Sequence, residues 1–332
     1  MKLPGSVILS RPDALGDAVV TTTTAGWIKH HAPATHLTVV IKEYTRAVWE
    51  RCVHVDRILT LEEFQQAGER GAADALRSTG AGAIVHVFPH RSVAQWAKAA
   101  GIPRRIGTSH RWWHWTTCNE RVAFSRKRSD LHEAQLNIRL LEPFGIPMPA
   151  SVEALVPHIG LSAPPASPQV RALVRPGVRN IILHPLLGSG VGWGLHNFRQ
   201  LIAALDADRH HVILTGTATE AARYRPELPV QAAHVTDAGG RLPLPALMEL
   251  MDLCDALVAA STGPLHLAAA LGIRTIGLYS MRRPIFPARW RPIGADAHAL
   301  VHDPACPQCA TGAACDCIQH ISPGRVLELL ER

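Results

Sequence analysis

The chain has 332 residues, 47% of them hydrophobic and 18% charged, with a formal net charge of +7. That length suits two domains of ordinary size, and the composition is that of a folded globular chain rather than a disordered or fibrous one. No apolar run approaches the ~18 residues of a membrane span, and the first residues enter a strand without the apolar core and cleavage site of a secretory signal, so the expected location is cytoplasmic.

In chain order, the apolar run 7–9 reads as a strand, Arg11-Pro12-Asp13-Ala14-Leu15-Gly16-Asp17 as a glycine-containing turn, and 18–31 as a helix. Runs at 37–41, 57–61 and 83–88 read as further strands, with helical patterns at 44–52 and 62–78 between them. Alternating strands and helices imply a parallel sheet with right-handed crossovers. Asp13 and Asp17 fall at the carboxyl end of the first strand, where open α/β sheets place their ligands. From its position alone, Asp17 is better suited to capping the helix that follows.

Residues 98–128 are basic. Lys98, Arg104, Arg105, Arg111, Arg121, Arg126, Lys127 and Arg128 accompany one acid, Glu120, and three tryptophans, Trp112, Trp113 and Trp115. Such a surface suits an anionic lipid headgroup or a phosphorylated glycolipid; a solvated basic face over core tryptophans is the other reading. No helix-turn-helix, RNA-recognition or zinc-finger pattern accompanies the charge, so nucleic acid is not an expected partner. Residues 129–144 read as one long closing helix. A stretch rich in Pro, Ala and Ser at 147–178 contains the expected linker, 151–178, between a first domain at 1–150 and a second at 179–332.

The second half repeats the alternation, with strands at 181–185, 211–214, 256–260 and 275–279 and helices at 198–207, 243–253, 264–271 and 321–331. Its most informative stretch is 255–272. A buried-looking strand ends in Ser261-Thr262-Gly263-Pro264 and runs into an Ala/Leu-rich helix with His266 in its first turn. Pro264 suits a first helical position, Thr262 can cap, and Gly263 admits a ligand close to the backbone. Free N–H groups and a positive dipole end at such a turn suit a phosphate. An ordinary strand–turn–helix fits the same residues. Near the C-terminus, Cys306-x2-Cys309-x5-Cys315-x-Cys317 groups four of the seven cysteines. Four close thiols could hold a structural zinc, although the Cys315–Cys317 spacing is tight for a zinc knuckle. Reduced thiols, or a disulfide formed on isolation, are the alternative. Cys52, Cys118 and Cys254 read as buried thiols.

Four motifs in order make the chain resemble the family 9 glycosyltransferases, the ADP-heptose:lipopolysaccharide heptosyltransferases. They are the opening Arg11–Asp17 segment; His132-Glu133 with Asn137 and Leu140-Leu141; Leu214-Thr215-Gly216 with Glu220; and Ser261 through Gly272, the most specific of the four. The resemblance implies an α/β fold of GT-B type, two doubly wound Rossmann-like domains facing across a cleft. It implies that the first domain holds the acceptor and the second the nucleotide sugar. It further implies inversion in one displacement, with no metal or cofactor beyond an ADP-heptose donor. The acceptor would be a phosphorylated glycolipid, met through peripheral contact with the cytoplasmic face of the inner membrane.

By the same resemblance, Asp17 is the general base and Asp13 its competitor or helper. Gly188, Ser189, Thr215, Gly216, Glu220, Leu242, Ser261, Thr262, Gly263, Pro264 and His266 surround the donor, Glu220 accepting from the ribose and Leu242 flanking the adenine. Arg11, Arg104, Arg105, Arg126, Lys127 and Arg128 face the acceptor. Some positions depart from the family pattern. Ser261 stands where an acid is common, and the loop 187–194 has no cation, with Val191 at the usual lysine position. Arg282 and Arg283 are the expected substitutes for that charge. Two other readings remain: a related family 9 transferase using another nucleotide sugar or surface glycan, and a non-catalytic binding protein of the same fold.

Overall fold

Val7, Ile8 and Leu9 are wholly buried, as in a central parallel strand covered on both faces. They belong to β1 (Ser6–Ser10), which is joined by β2 (His36–Ile41), β3 (Arg57–Thr60), β4 (Ala83–His86), β5 (Arg104–Thr108) and β6 (Glu120–Val122). The computed structural model describes residues 2–126, 128–187, 191–313 and 315–332. All six strands run parallel in the order β3-β2-β1-β4-β5-β6. A second sheet comprises β7 (Arg179–His184), β8 (His210–Leu214), β9 (Val235–Asp237), β10 (Ala256–Ala260), β11 (Arg274–Tyr279) and β12 (Ala297–Val301). Its order is β12-β11-β10-β7-β8-β9, again all parallel. Each is therefore a doubly wound sheet, and its order reverses between β1 and β4 in one and between β7 and β10 in the other. Ligands of open α/β sheets bind in the crevice outside such switch points.

The chain divides into Met1–Ser162 and Ala163–Arg332. Part of the stretch expected to be linker is structured within the first unit. A 3-10 helix at Glu153–His158 lies against the helix Leu15–His31, where a Cβ on Gly26 would meet the His158 carbonyl at 1.9 Å. Ser167, at the other end of that stretch, is held by Glu249 of the second unit through both its N–H (2.8 Å) and its hydroxyl (2.6 Å).

Several expected elements change length for local reasons. The long closing helix is only Glu133–Arg139, followed by a 3-10 turn at Glu142–Phe144. His132 caps its start, and Pro143, which has no N–H to continue the α-helical ladder, stands in the first turn of the 3-10 segment that follows. Leu61, expected in a strand, opens the helix Leu61–Arg77, because Thr60 and Glu63 form a capping box in front of it. The helical pattern at 44–52 is a 3-10 turn, Glu43–Thr45, and a short helix, Arg46–Glu50. Strands β5, β6, β9 and β12 escaped the sequence reading. β5 opens on two arginines, β6 and β9 have three residues each, and β12 is half-buried throughout, so none shows a clean apolar run.

Candidate active site

At the carboxyl end of β1 the chain turns through Arg11, Asp13 and Asp17 into the helix Leu15–His31. Arg11 is 3% exposed, so its guanidinium has lost water and must be paired within the protein. Its Nε lies 3.0 Å from Asp13, its Nη2 contacts Asp17 directly and lies 3.6 Å from Glu133, and its Nη1 donates to the Val87 carbonyl at 3.4 Å. Arg126 joins the cluster from the segment after β6. It pairs with Glu133 and donates to Asn137 at 3.1 Å and to the Val87 carbonyl at 3.0 Å. Asn137 in turn donates to Thr21 on the helix Leu15–His31 at 3.3 Å. The result is three carboxylates held by two guanidinium groups. Burial pushes the Asp13 carboxyl above its ordinary range, against the opposing charges of Arg11, Arg126 and Lys42. Asp17 is the more accessible acid, with a side chain 22% exposed against 15% for Asp13. The N-cap of the helix Leu15–His31 is Ala14 and Asp17 lies in its first turn, so Asp17 is not the capping residue.

The structure separates the arginines expected on the acceptor side. Arg11 and Arg126 enter the carboxylate cluster. Arg104 instead clamps Glu120 through Nε at 2.6 Å and Nη2 at 2.7 Å, and stacks on Phe144 at 4.2 Å. Arg105 donates to the carbonyls of Thr117 at 2.7 Å and Ile102. Both guanidinium groups are spent on the edge of the first sheet, which corrects their expected place facing an anion. Arg128 is exposed, and Lys127 lies outside the described residues. Trp112 and Trp115 are 63% and 61% exposed, with Arg91 over Trp112 at 4.9 Å and Arg121 over Trp115 at 4.5 Å.

In the second unit, β10 ends at Ala260 and the helix Gly263–Ala270 begins three residues later. Thr262 caps it by accepting from the Leu265 N–H at 3.4 Å, and Pro264 occupies the first turn, where a missing N–H costs nothing. His266 is 3% exposed and stands edge-on to Trp290 at 5.9 Å. Beside this turn lies a cavity of about 190 Å³. Ser261, Tyr279, Ser280, Arg282 and Arg283 line it, with Val191 and Cys315 among its other walls. The Tyr279 hydroxyl accepts from Ser261 and donates to the Trp290 carbonyl, and burial raises its pKa. Arg282 and Arg283 are exposed, and Arg283 also covers Phe286 at 4.5 Å. The two cations therefore reach the cavity that Val191 leaves uncharged.

The other expected donor residues gather at the carboxyl ends of β7 and β8. His184, at the end of β7, hydrogen-bonds Thr215 at 3.0 Å, and burial lowers its pKa against the pull of Glu220. Gly216 follows Thr215, and Thr217 and Glu220 form a capping box for the helix Ala218–Tyr224. Glu220 Oε2 accepts from the Thr217 N–H at 2.7 Å, so this carboxylate is fixed by the helix start. Leu242 is half-buried just ahead of the helix Leu244–Asp252. Gly188 and Ser189 lie outside the described residues. His184 and Tyr279 were not among the expected site residues. The available signal was position, since each ends an apolar strand at the ligand-bearing edge of its sheet.

Residues 94–316 match the family model described as glycosyltransferase family 9 (heptosyltransferase). A Haemophilus influenzae chain described as a glycosyltransferase is 25% identical over 314 residues, covering 90% of this chain and 89% of its own. The family 9 glycosyl transferase of Veillonella parvula shares the fold with a TM-score of 0.82 at 19% identity, over 100% of this chain and 99% of that one. The E. coli ADP-heptose lps heptosyltransferase II does so with a TM-score of 0.76 at 20% identity, over 100% and 98%. Both sheets and their strand order thus correspond to a GT-B glycosyltransferase fold.

Proposed function

The chain belongs to glycosyltransferase family 9, and on that premise we propose that it transfers a heptose from an ADP-activated donor to an anionic lipopolysaccharide-core acceptor with inversion. The observation that carries this reading is the placement of the two signature turns. The Arg11–Asp17 turn and the Ser261–His266 turn each sit at the carboxyl end of a strand bordering the switch point of a doubly wound sheet.

The chemistry follows from the groups at each turn. Asp17 takes the proton of the acceptor hydroxyl as its oxygen attacks the anomeric carbon, and the bond to the diphosphate breaks on the opposite face. Arg11 holds Asp17 as a carboxylate. Once Asp17 is protonated, the guanidinium keeps Asp13 and Glu133 as partners and is not left buried alone. In the second unit, the positive end of the helix Gly263–Ala270, with Arg282 and Arg283, stabilises the charge on the departing ADP. Glu220 and Leu242 fit the ribose and adenine. The name of the E. coli relative supports ADP-heptose as donor. The exposed pairs Arg91–Trp112 and Arg121–Trp115 fit peripheral contact with an anionic headgroup layer at the cytoplasmic membrane face, where a glycolipid acceptor resides.

Val191, in a loop without cations, favours a second reading, a family 9 transferase of altered donor choice. Calorimetric titration with ADP, ADP-heptose, UDP-sugars and GDP-sugars separates the two. The proposal expects binding by ADP and ADP-heptose alone. Binding by a UDP- or GDP-sugar in their place overturns the donor assignment, and binding by none of them overturns the transferase reading of this chain.

A further inference from the structure

The four C-terminal cysteines converge. Cys306 precedes the one-turn helix Pro307–Thr311, Cys309 lies within it, and Gly312 turns the chain back at φ +76° toward Cys315 and Cys317. Their sulfurs all lie within 4.8 Å of one another, with Cys306 and Cys315 at 3.5 Å and Cys309 and Cys317 at 3.4 Å. All four residues are buried. A disulfide places its sulfurs at about 2.05 Å, much closer than these pairs. Four thiolates around one zinc at about 2.3 Å place each pair of sulfurs near 3.8 Å, which falls within the 3.4–4.8 Å span of the separations here. The Cys317 N–H points at the Cys315 sulfur at 3.4 Å, a contact that stabilises negative charge on a thiolate. The tight Cys315–Cys317 spacing that departs from a zinc knuckle is accommodated by the turn itself, which brings both sulfurs to the same side as the Cys306–Cys309 pair.

We infer that Cys306, Cys309, Cys315 and Cys317 hold one tetrahedral zinc ion that pins residues 303–313 and 315–321 beside the cavity of the second unit. Zinc suits this donor set because a closed tetrahedron of four thiolates is its usual structural site, iron being the other ion that such a set takes. Binding forms four Zn–S bonds and releases the thiol protons. The site is closed, with no ligand position left for water or substrate, so its role is structural. Met281, from the loop after β11, packs on the cluster, while Cys315 and Ile318 line the cavity together with Ser261 and Tyr279. Metal binding thereby fixes two walls of that cavity. This consequence for donor binding rests on the proposed function; the metal site itself does not.

The test uses the full chain, purified without a histidine tag or chelator, and measures its metals by elemental mass spectrometry. One equivalent of zinc per chain is expected. Cys309→Ser and Cys317→Ser should each fall below about a tenth of an equivalent, and Cys254→Ala should keep the full amount. Because the serine variants can fail to fold, a second measurement uses the wild-type chain alone. After zinc is removed by chelation, cobalt(II) should bind at one equivalent with the visible bands of tetrahedral coordination and sulfur-to-cobalt charge transfer. One equivalent of iron in place of zinc would overturn the ion and uphold the tetrathiolate site. Absence of any transition metal together with absence of the cobalt bands, or a disulfide within the four found by peptide mass mapping, would overturn the site. ADP affinity, measured in parallel on the zinc-bound and stripped chain, should fall at least threefold on stripping. An unchanged affinity would overturn the pinning role, whereas a zinc-loaded chain that never binds ADP would overturn the donor reading and leave the metal site standing.

Discussion

The carboxyl ends of β1 and β10 occupy equivalent places in two sheets of the same topology, yet they differ in how much charge their side chains bring. At β1 the turn is filled by side chains. Arg11 and Arg126 hold Asp13, Asp17 and Glu133 in a nearly neutral, mostly buried cluster. At β10 the turn is nearly bare of side-chain charge. Thr262, Gly263 and Pro264 shape a helix start that presents the positive end of the helix dipole, and the cations Arg282 and Arg283 come from the loop after the neighbouring strand. On the proposed function, one topological position serves proton transfer in one unit and anion binding in the other. The fold supplies the place, and a few residues after the strand decide the chemistry.

The sharpest break of this contrast is at Asp17. Asp17→Asn removes the proton acceptor and keeps the side-chain volume, so kcat should fall by roughly 10²–10⁴-fold, the range for losing a general base. ADP affinity by calorimetry should stay within twofold, because the donor groups lie on the other unit. Near-normal turnover by purified Asp17→Asn would move the role to Asp13.

Arg11→Met tests the cluster as a unit. It leaves three acids sharing one guanidinium, and removing one side of a buried ion pair costs ~3–5 kcal/mol, read as a loss of unfolding free energy in urea. The same cluster gives a signed pH dependence. The folded-state pKa of Asp13 is raised by burial, so the folded chain binds that proton more tightly than the unfolded chain. Its contribution to stability is complete at pH values below the ordinary carboxylate range and is lost as pH rises through the raised value. Asp13→Asn should therefore flatten the stability profile in that window; an unaltered slope would show that Asp13 is not the group responsible.

The opposite turn is probed through its cations. Arg282→Ala with Arg283→Ala should weaken ADP binding by about ten- to thirtyfold, the lower end of ~1.5–3 kcal/mol for charge-assisted hydrogen bonds, since both side chains are exposed before the ligand arrives. Acceptor KM should not move. A change in acceptor KM with unchanged ADP affinity would exchange the roles of the two turns.

The two turns also differ in how legible they were. The β10 turn was readable because local rules suffice. An apolar strand, a threonine cap, a glycine and a proline stand in sequence, and each has a backbone reason for its place. Asp13 and Asp17 could be placed at a strand end in the same way. Their partners could not, because Glu133, Arg126 and Asn137 reach the cluster from more than a hundred residues away, and nothing local marks which of eight basic residues in 98–128 turns inward. Arg104 and Arg105 show the cost, since both were expected on an anion-facing surface and both are used to finish a sheet edge. Charge at the start of β5 also hid that strand, which lies next to the edge strand β6 of the first sheet. The sulfur cluster was visible as a spacing, but its convergence depends on the turn at Gly312, which the spacing alone does not determine.

The smallest expected effect tests whether the β10 turn is held by its cap. Thr262 accepts from the Leu265 N–H, satisfying one of the first-turn donors that would otherwise point into the crevice. Thr262→Ala removes that acceptor, and losing a cap costs about 1 kcal/mol, which urea unfolding of the purified chain can resolve. Thr262→Ser keeps the oxygen and should recover most of the loss. ADP affinity gives the second reading. If the hydroxyl only caps, the freed N–H gains the phosphate as a partner, and affinity should change by less than about threefold. If affinity falls tenfold or more while stability is unchanged, the hydroxyl itself contacts the diphosphate. The turn would then bind its anion through a side chain, as the β1 turn holds its charges, and the contrast between the two turns would be lost.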